Sequence, residues 1–343
     1  MGNSVAVLFG GPSNEHEISC LSAKTVISAL AEAGHQVLAI AVDRDLTMRL
    51  ILEPLVQFAA VADQLPTTAD LVGERVSTIA ADIAFPVLHG SWGEDGGVQQ
   101  QLNQFGLPYV GSGVVSSKLA MDKSATKERL VSQGIKVLPA ITVNQTNWQD
   151  HLADIHALGK NLFVKPCHGG SSVGVTHVKS TSELDAALVK VFAMSDQALI
   201  ESALDHPREI EIGVLQAPDG SLKVSLCGEI KLKPEFDFYD YSAKYLADGA
   251  ELVVPAEIST EQYEEVALVA KQAFASLGCA GLARVDFLMS QDGVVYLNEV
   301  NTMPGFTQIS MYPKMFAASG VALTELVDQL VQHGLTVDRT KEN

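Results

Sequence analysis

The chain of 343 residues carries 23 lysines and arginines against 41 aspartates and glutamates, a formal net charge of −18. That balance argues against a nucleic-acid or anionic-membrane surface, since both need basic patches. With 47% hydrophobic and 19% charged residues, the composition is that of a folded, soluble protein rather than a disordered one, and the length allows two or three domains.

No apolar run reaches the roughly 18–20 residues that span a bilayer. The start, MGNSVAVLFGGPSNE, has no basic segment leading into a long apolar core, so no secretory signal is expected. Met1-Gly2 with a later serine faintly matches a myristoylation site, but VAVLFGG reads as a buried strand and turn. Cys20, Cys167, Cys227 and Cys279 are scattered without CxxC spacing, which predicts reduced thiols in a cytoplasmic protein.

Residues 4–9 predict a buried strand, followed by Gly10-Gly11-Pro12-Ser13 and a helix that closes at Gly34. QVLAIAV is a second strand, so the opening is a β–loop–α–β unit of a parallel sheet. Glu15 lies in the first loop, where ligands are usually met; capping the helix is its plainer role. Residues 45–80 mix apolar and turn residues and suggest no chemistry. ADIAFPVLHG is a strand ending at His89, and a Gly-rich turn holding Glu94 and Asp95 leads into a helix. Leu107 to Val110 predicts a fourth strand. A histidine at a strand end is more often structural, but the glycine loop after His89 holds backbone open beside a ligand. Gly111-Ser-Gly113-Val-Val-Ser116 misses the third glycine of a dinucleotide loop, and no GxxxxGK[ST] occurs.

A boundary falls near Ser116, and residues 121–135 predict a basic helix carrying Lys123, whose plainer role is a solvated lysine. Val137 to Val143 is strand-like; Leu162 to Pro166 is a strand carrying Lys165. CHGGSSVGVTHV, with Ser171 and Ser172, is a donor-rich loop able to wrap phosphate oxygens or simply to turn a hairpin. SELDAALVKVFA predicts a helix capped by Ser182, QALIES a strand ending near Glu201, and REIEIGVLQ a half-exposed strand. Residues 234–250 are aromatic-dense, contain Lys244 and Tyr245, and read as a packed loop or an active-site lid. A helix follows from Glu261 to Leu277, and Asp292-Gly293 then turns a hairpin that brings Asp286 near Glu299 and Asn301. Two carboxylates and an amide oxygen suit Mg²⁺; a solvated acidic face is the plainer reading of that pattern alone. The segment SGVALTELVDQLVQHG predicts a final helix, and VDRTKEN is expected to fray.

Taken together, LFGGPSNEHEIS, LHGSWGEDG, GSGVVSSKLAMDK, VKPCHGGSSVGV, FYDYSAKY, ARVDF and NEVNTMPGFT resemble the D-alanine–D-alanine ligase family of the ATP-grasp superfamily, over nearly the whole length. The resemblance implies an α/β protein of three domains. These are an N-terminal parallel-sheet domain (1–117), a central ATP-grasp subdomain (118–204) and a C-terminal domain with lid and metal site (205–343).

It further implies ATP as co-substrate and two Mg²⁺, or Mn²⁺ in their place, on Asp286, Glu299 and Asn301. Lys123, Lys165 and Lys244 would neutralise the phosphates. Glu201, the backbone of Ala203 and Leu204, and Glu209 would hold adenine and ribose. Glu15 would face the first D-alanine's ammonium, and Glu15, Ser171 and Tyr245 would form a chain closing the lid. His89 and Glu94 would line the first-substrate side. Arg284 and the Gly305 amide would stabilise the oxyanion, while Ser310 and the backbone at Met311 would hold the second carboxylate. Ala203 departs from the aromatic residue common there, which weakens the adenine contact at that position. Cys167-His168, Met303 and Met311 are minor departures. A tyrosine at 245 favours D-alanine over D-lactate as acceptor. A D-lactate or D-serine acceptor, or a non-catalytic nucleotide-binding relative, are the alternatives; the metal and phosphate residues all being present argues against the last. A cytoplasmic homodimer in peptidoglycan precursor synthesis, with no nucleic-acid or membrane partner, is the implied setting.

Overall fold

The computed structural model describes residues 2–61, 65–233 and 249–339. Three sheets divide the chain. The first is built from β1 (Ser4–Gly10), β2 (Gln36–Val42), β3 (Met48–Ile51), β4 (Gly73–Arg75) and β5 (Ile83–Pro86), in the order β4-β3-β2-β1-β5. The apolar run of β1 is buried because it is central, parallel to both β2 and β5. The silent stretch 45–80 supplies the antiparallel edge: β3 against β2, β4 against β3, with a short helix, Pro54–Ala60, between them. The expected strand at Leu107 to Val110 is only a single bridge, Ala84 to Tyr109. Pro108 has no N–H to extend that pairing.

The second sheet is wholly antiparallel: β6 (Ala140–Asn144), β7 (Leu162–Pro166), β8 (Thr176–Val178) and β9 (Gln197–Ser202), in the order β6-β9-β7-β8. Leu162, Val164, Ala198 and Ile200 pack on the helix Leu184–Phe192. Side chains alternate along strands, so Phe163, Lys165 and Glu201 take the opposite face. Three local expectations shift here. The strand begins at Ala140, after Pro139. The basic helix is shorter, Lys123–Ser132, and Asp122, which accepts from the Ser124 and Ala125 amides, separates it from a preceding helix, Val114–Met121. Ser180, not Ser182, caps the turn that leads into the helix at Leu184, by accepting from the Ser182 amide.

The third sheet contains β10 (Arg208–Gln216), β11 (Leu222–Val224), β12 (Gly228–Leu232), β13 (Ala250–Val253), β14 (Leu282–Met289) and β15 (Val295–Asn301). Its main path is β13-β12-β10-β14-β15, with β11 beside β10. Ile210, Ile212, Val214, Val285 and Phe287 pack on the helix Thr260–Ser276. Thus β10 is a central strand, not a half-exposed one: its alternating acids face the cleft, and Glu211 is buried. The opposite face also receives the helix Met311–Ala318, so close that a Cβ on Gly213 would lie 2.6 Å from the Phe316 ring.

The last helix, Leu323–Thr336, crosses back to the first sheet. Its Leu326, Val327, Leu330 and Val331 share a core with Val5, Ile27 and Ile83, which ties the chain's two ends together. The tail beyond it does not fray at once: Arg339 donates to the Gly111 carbonyl at 2.5 Å and lies over the Tyr109 ring. All four cysteines are buried thiols, as expected, and no helix of the described residues is long and apolar enough to cross a membrane.

Candidate active site

The carboxyl ends of β1 and β5, the Gly/Ser loop after β7, and the cleft face of the third sheet converge on a cavity of about 160 Å³. Eleven predicted site residues line it: Glu15, His89, Glu94, Lys123, Ser171, Arg284, Glu299, Asn301, Gly305, Ser310 and Met311. Asp286 joins them through hydrogen bonds to Arg284 and Asn301.

Glu15, His89 and Glu94 gather round Gly90. Glu15 sits at the helix N-cap position but makes no side-chain cap, so capping is not its role. A Cβ on Gly90, at φ +73°, would press against Ser13 and come 3.4 Å from the Glu15 carboxylate. The Gly90 amide donates to Glu94 Oε2 at 2.7 Å. Burial, with Glu15 and Glu299 adding repulsion, pushes the Glu94 carboxyl up to about 8. His89 is held rather than presented. Its Nδ1 lies 3.2 Å from the Met303 carbonyl, which can only accept, so Nδ1 carries a proton. Burial lowers the ring's pKa, leaving Nε2 bare to accept from the Ser22 hydroxyl at 3.0 Å. Ser22 in turn accepts from the Phe306 amide, next to Gly305. The histidine expected to line the first-substrate side therefore also braces the loop that carries Gly305.

That loop is tight. Ser310 Oγ accepts from the Thr307 amide at 2.9 Å, and a Cβ on Gly305 would stand 2.8 Å from Ser310 Oγ. Ser310 occupies the N-cap position of Met311–Ala318 without a side-chain cap bond.

The cation residues lie on the hairpin as expected. Asp286 pairs with Glu299 across β14 and β15, and Arg284 pairs with Asn301, with a register shift at Asp286/Phe287. Arg284 donates to both oxygens of Asp286 at 2.7 Å, and Asn301 Nδ2 donates to one at 2.9 Å. On the other side Glu211 pairs with Asp286 across β10 and β14, and its Oε2 is 3.3 Å from Arg284 Nε. Burial alone would weaken the guanidinium's hold on its proton; Asp286 and Glu211 outweigh it and keep Arg284 charged. Among the described residues no three His, Cys, Asp or Glu side chains form a metal cage. An all-oxygen set of two carboxylates and one amide nonetheless fits Mg²⁺, which takes few protein ligands and completes its shell with water and phosphate.

On the central side, Lys123 donates through Nζ to the Gly169 carbonyl at 2.5 Å and so pins the Gly/Ser loop; burial lowers its pKa. Ser171 and Ser172 both take positive φ, 54° and 57°, a costly backbone for residues other than glycine. Lys165 donates to Glu201 Oε2 at 2.6 Å, and Lys127, which pattern reading passed over, pairs with Glu201 Oε1. The Glu201 carboxylate, expected at the adenine amino group, is thus already shared by two lysines. The Ala203 amide, expected at the adenine ring edge with Leu204, donates to the Asn161 carbonyl. Glu209 stands two residues before Glu211 on the cleft face of β10. Lys244 and Tyr245 lie outside the described residues.

Three contributors had escaped sequence reasoning. Lys127 is one turn from Lys123 on one helix face, a spacing that could have flagged it. Glu211 is two residues from Glu209 and was legible by strand alternation. Ser22 had no signal, being a small polar residue inside a helical pattern.

Two antiparallel sheets facing each other across a lysine- and carboxylate-lined cleft define the chain as an ATP-grasp protein. Residues 4–112 match the family described as D-ala D-ala ligase N-terminus, and residues 130–332 match D-ala D-ala ligase C-terminus. The chain is 41% identical to the D-alanine–D-alanine ligase of Mycobacterium tuberculosis (strain CDC 1551 / Oshkosh), covering 96% of this chain and 95% of that one. The solved D-alanine–D-alanine ligase from Coxiella burnetii superposes with a TM-score of 0.83 at 34% identity, over 99% of this chain and 95% of that one. The VanG D-Ala:D-Ser ligase from Enterococcus faecalis also reaches 0.83, at 31% identity, over 98% of this chain and all of that one. The chain belongs to the D-alanine–D-alanine ligase family.

Proposed function

We propose that the protein joins two molecules of D-alanine into D-alanyl-D-alanine at the expense of ATP, in the cytoplasm and for peptidoglycan precursors. The observation that carries this reading is the convergence of the phosphate-side Lys123 and Ser171, the cation-side Glu299 and Asn301, and the substrate-side Glu15, Arg284 and Ser310 on one cavity. The division at 1–117, 118–204 and 205–343 is supported by the sheets, each of which takes its strands from one of those spans.

In this reading the carboxylate of the first D-alanine attacks the γ-phosphorus of ATP, ADP leaves, and an acyl phosphate forms. The amine of the second D-alanine attacks that carbonyl, loses a proton, and expels phosphate. Glu15 holds the first ammonium. Lys123 and Lys165, with Lys244, bind phosphate oxygens, and the pinned loop around Ser171 wraps them. Mg²⁺ held by Asp286, Glu299 and Asn301 would supply charge neutralisation at the phosphates. Arg284 and the Gly305 amide face the carbonyl oxygen as it gains charge, and donors fixed in advance cost no reorganisation then. Ser310 and the start of the Met311–Ala318 helix take the second carboxylate. Closing the site over the acyl phosphate excludes water that would hydrolyse it. A homodimer is proposed from the family alone.

The kinship with a D-Ala:D-Ser ligase keeps D-serine as a second acceptor reading. An acceptor panel decides: with ATP, Mg²⁺ and D-alanine, alone or with D-serine or D-lactate, products are identified by mass. D-alanyl-D-alanine as main product throughout is expected. A mixed product as the main species moves the specificity to the serine or lactate branch.

A further inference from the structure

Two buried lysines share one buried carboxylate at the edge of the nucleotide cleft. The side chains of Lys127, Lys165 and Glu201 are 9%, 12% and 3% exposed. Two ammonium groups against one carboxylate leave a net charge of +1, and the two lysines are not equivalent. Lys165 stands near the end of β7, where the Gly/Ser loop begins, so its flexible stem can swing from Glu201 toward phosphates held by that loop. Lys127 rises from the Lys123–Ser132 helix, is 7% exposed as a residue, and also reaches the Leu138 carbonyl at 3.4 Å.

We propose that Lys127 is a positioning residue of the nucleotide site, which keeps the Glu201 carboxylate ionised and fixed while Lys165 moves from Glu201 to the phosphates of ATP. This rests on the nucleotide site described above. Charge bookkeeping carries it. If Lys165 left Glu201 with no other cation present, a buried carboxylate would stand unpaired, a costly state that would hold Lys165 back. With Lys127 in place, a neutral pair stays behind and the surplus positive charge is free for the phosphates. Burial raises the carboxyl's proton affinity, and the two lysines more than offset it, so Glu201 enters this exchange as a carboxylate. A carboxylate offers about four lone-pair positions, so Glu201 held by Lys127 can still accept from an adenine amino group.

Equilibrium titration of the full chain with ATP and Mg²⁺ tests this, using the wild type, Lys127→Gln, Glu201→Gln, the Lys127→Gln/Glu201→Gln double variant and Lys165→Gln, with thermal melts of each. Lys127→Gln is expected to weaken ATP binding about a hundredfold, in keeping with the cost of leaving a buried charge unpaired. In the Glu201→Gln background, where no buried anion needs a partner, the same loss of Lys127 should cost less than about threefold. If Lys127→Gln does not fold, that second comparison decides by itself. Equal losses in both backgrounds would overturn the proposal and make Lys127 a direct ligand or a general scaffold residue. Wild-type affinity in Lys127→Gln would overturn it too. Absence of saturable ATP binding by the wild type, or wild-type affinity in Lys165→Gln, would instead refute the nucleotide site itself, and the proposal with it.

Discussion

Replacing Glu94 by glutamine should change how stability depends on pH. The ordinary carboxyl value is 4.5, and in the folded protein burial and the repulsion of Glu15 and Glu299 push Glu94 up to about 8. Between those values the folded chain holds a proton that the unfolded chain has released. Stability therefore falls as pH rises through that window, and is flat with respect to this group below and above it. The ceiling on the slope is about 1.4 kcal/mol per pH unit. Glu94 opens on one side to the cleft, where water screens it, so the whole window is worth roughly 2–5 kcal/mol. Glutamine cannot titrate but keeps an oxygen for the Gly90 amide. Urea denaturation of the ligand-free, chelator-treated chains at several pH values between about 5 and 8.5 reads the difference. The two chains should be close at the acid end, with the glutamine variant progressively the more stable toward the alkaline end. Parallel profiles across the range would refute the placement of a buried, mutually repelling set of carboxylates around Gly90.

Ser22→Ala should leave the Phe306 amide and His89 Nε2 without a shared partner and lower stability by about 1–3 kcal/mol; an unchanged denaturation midpoint would show that the bridge has no weight. Gly305→Ala should displace Ser310 Oγ and lower kcat by about 10²–10³, the scale of losing one oxyanion donor, with the KM for ATP little changed; steady-state kinetics showing a normal kcat would remove Gly305 from the oxyanion site.

Much of this was legible because the relevant patterns are local. The β1 run, the glycine loops and the Asp292-Gly293 turn each specify their own conformation, and the turn brings the strands of Asp286 and Glu299 together, although their direct pairing also needs the register shift at Asp286/Phe287, which turn and alternation do not foretell. What escaped was set by distant partners. The acids of β10 looked solvent-facing because alternation cannot say whether the polar face meets water or a cleft. Glu201 looked like a free strand-end acid, and only the fold brings Lys127 and Lys165 to it. His89 does line the cavity, but its second role was hidden, because its ring is tied to Met303, more than 200 positions away in the chain. Residues 45–80 form edge strands whose weak patterns are decided by the sheet they join.

Oxygen transfer tests the central claim most directly. D-alanine labelled with ¹⁸O in its carboxylate is incubated with ATP and Mg²⁺, and both the dipeptide and the released phosphate are analysed by mass. Attack by the substrate carboxylate on ATP predicts D-alanyl-D-alanine together with phosphate that carries one ¹⁸O. Unlabelled phosphate would mean that water, not the carboxylate, meets the γ-phosphorus, and would contradict the account.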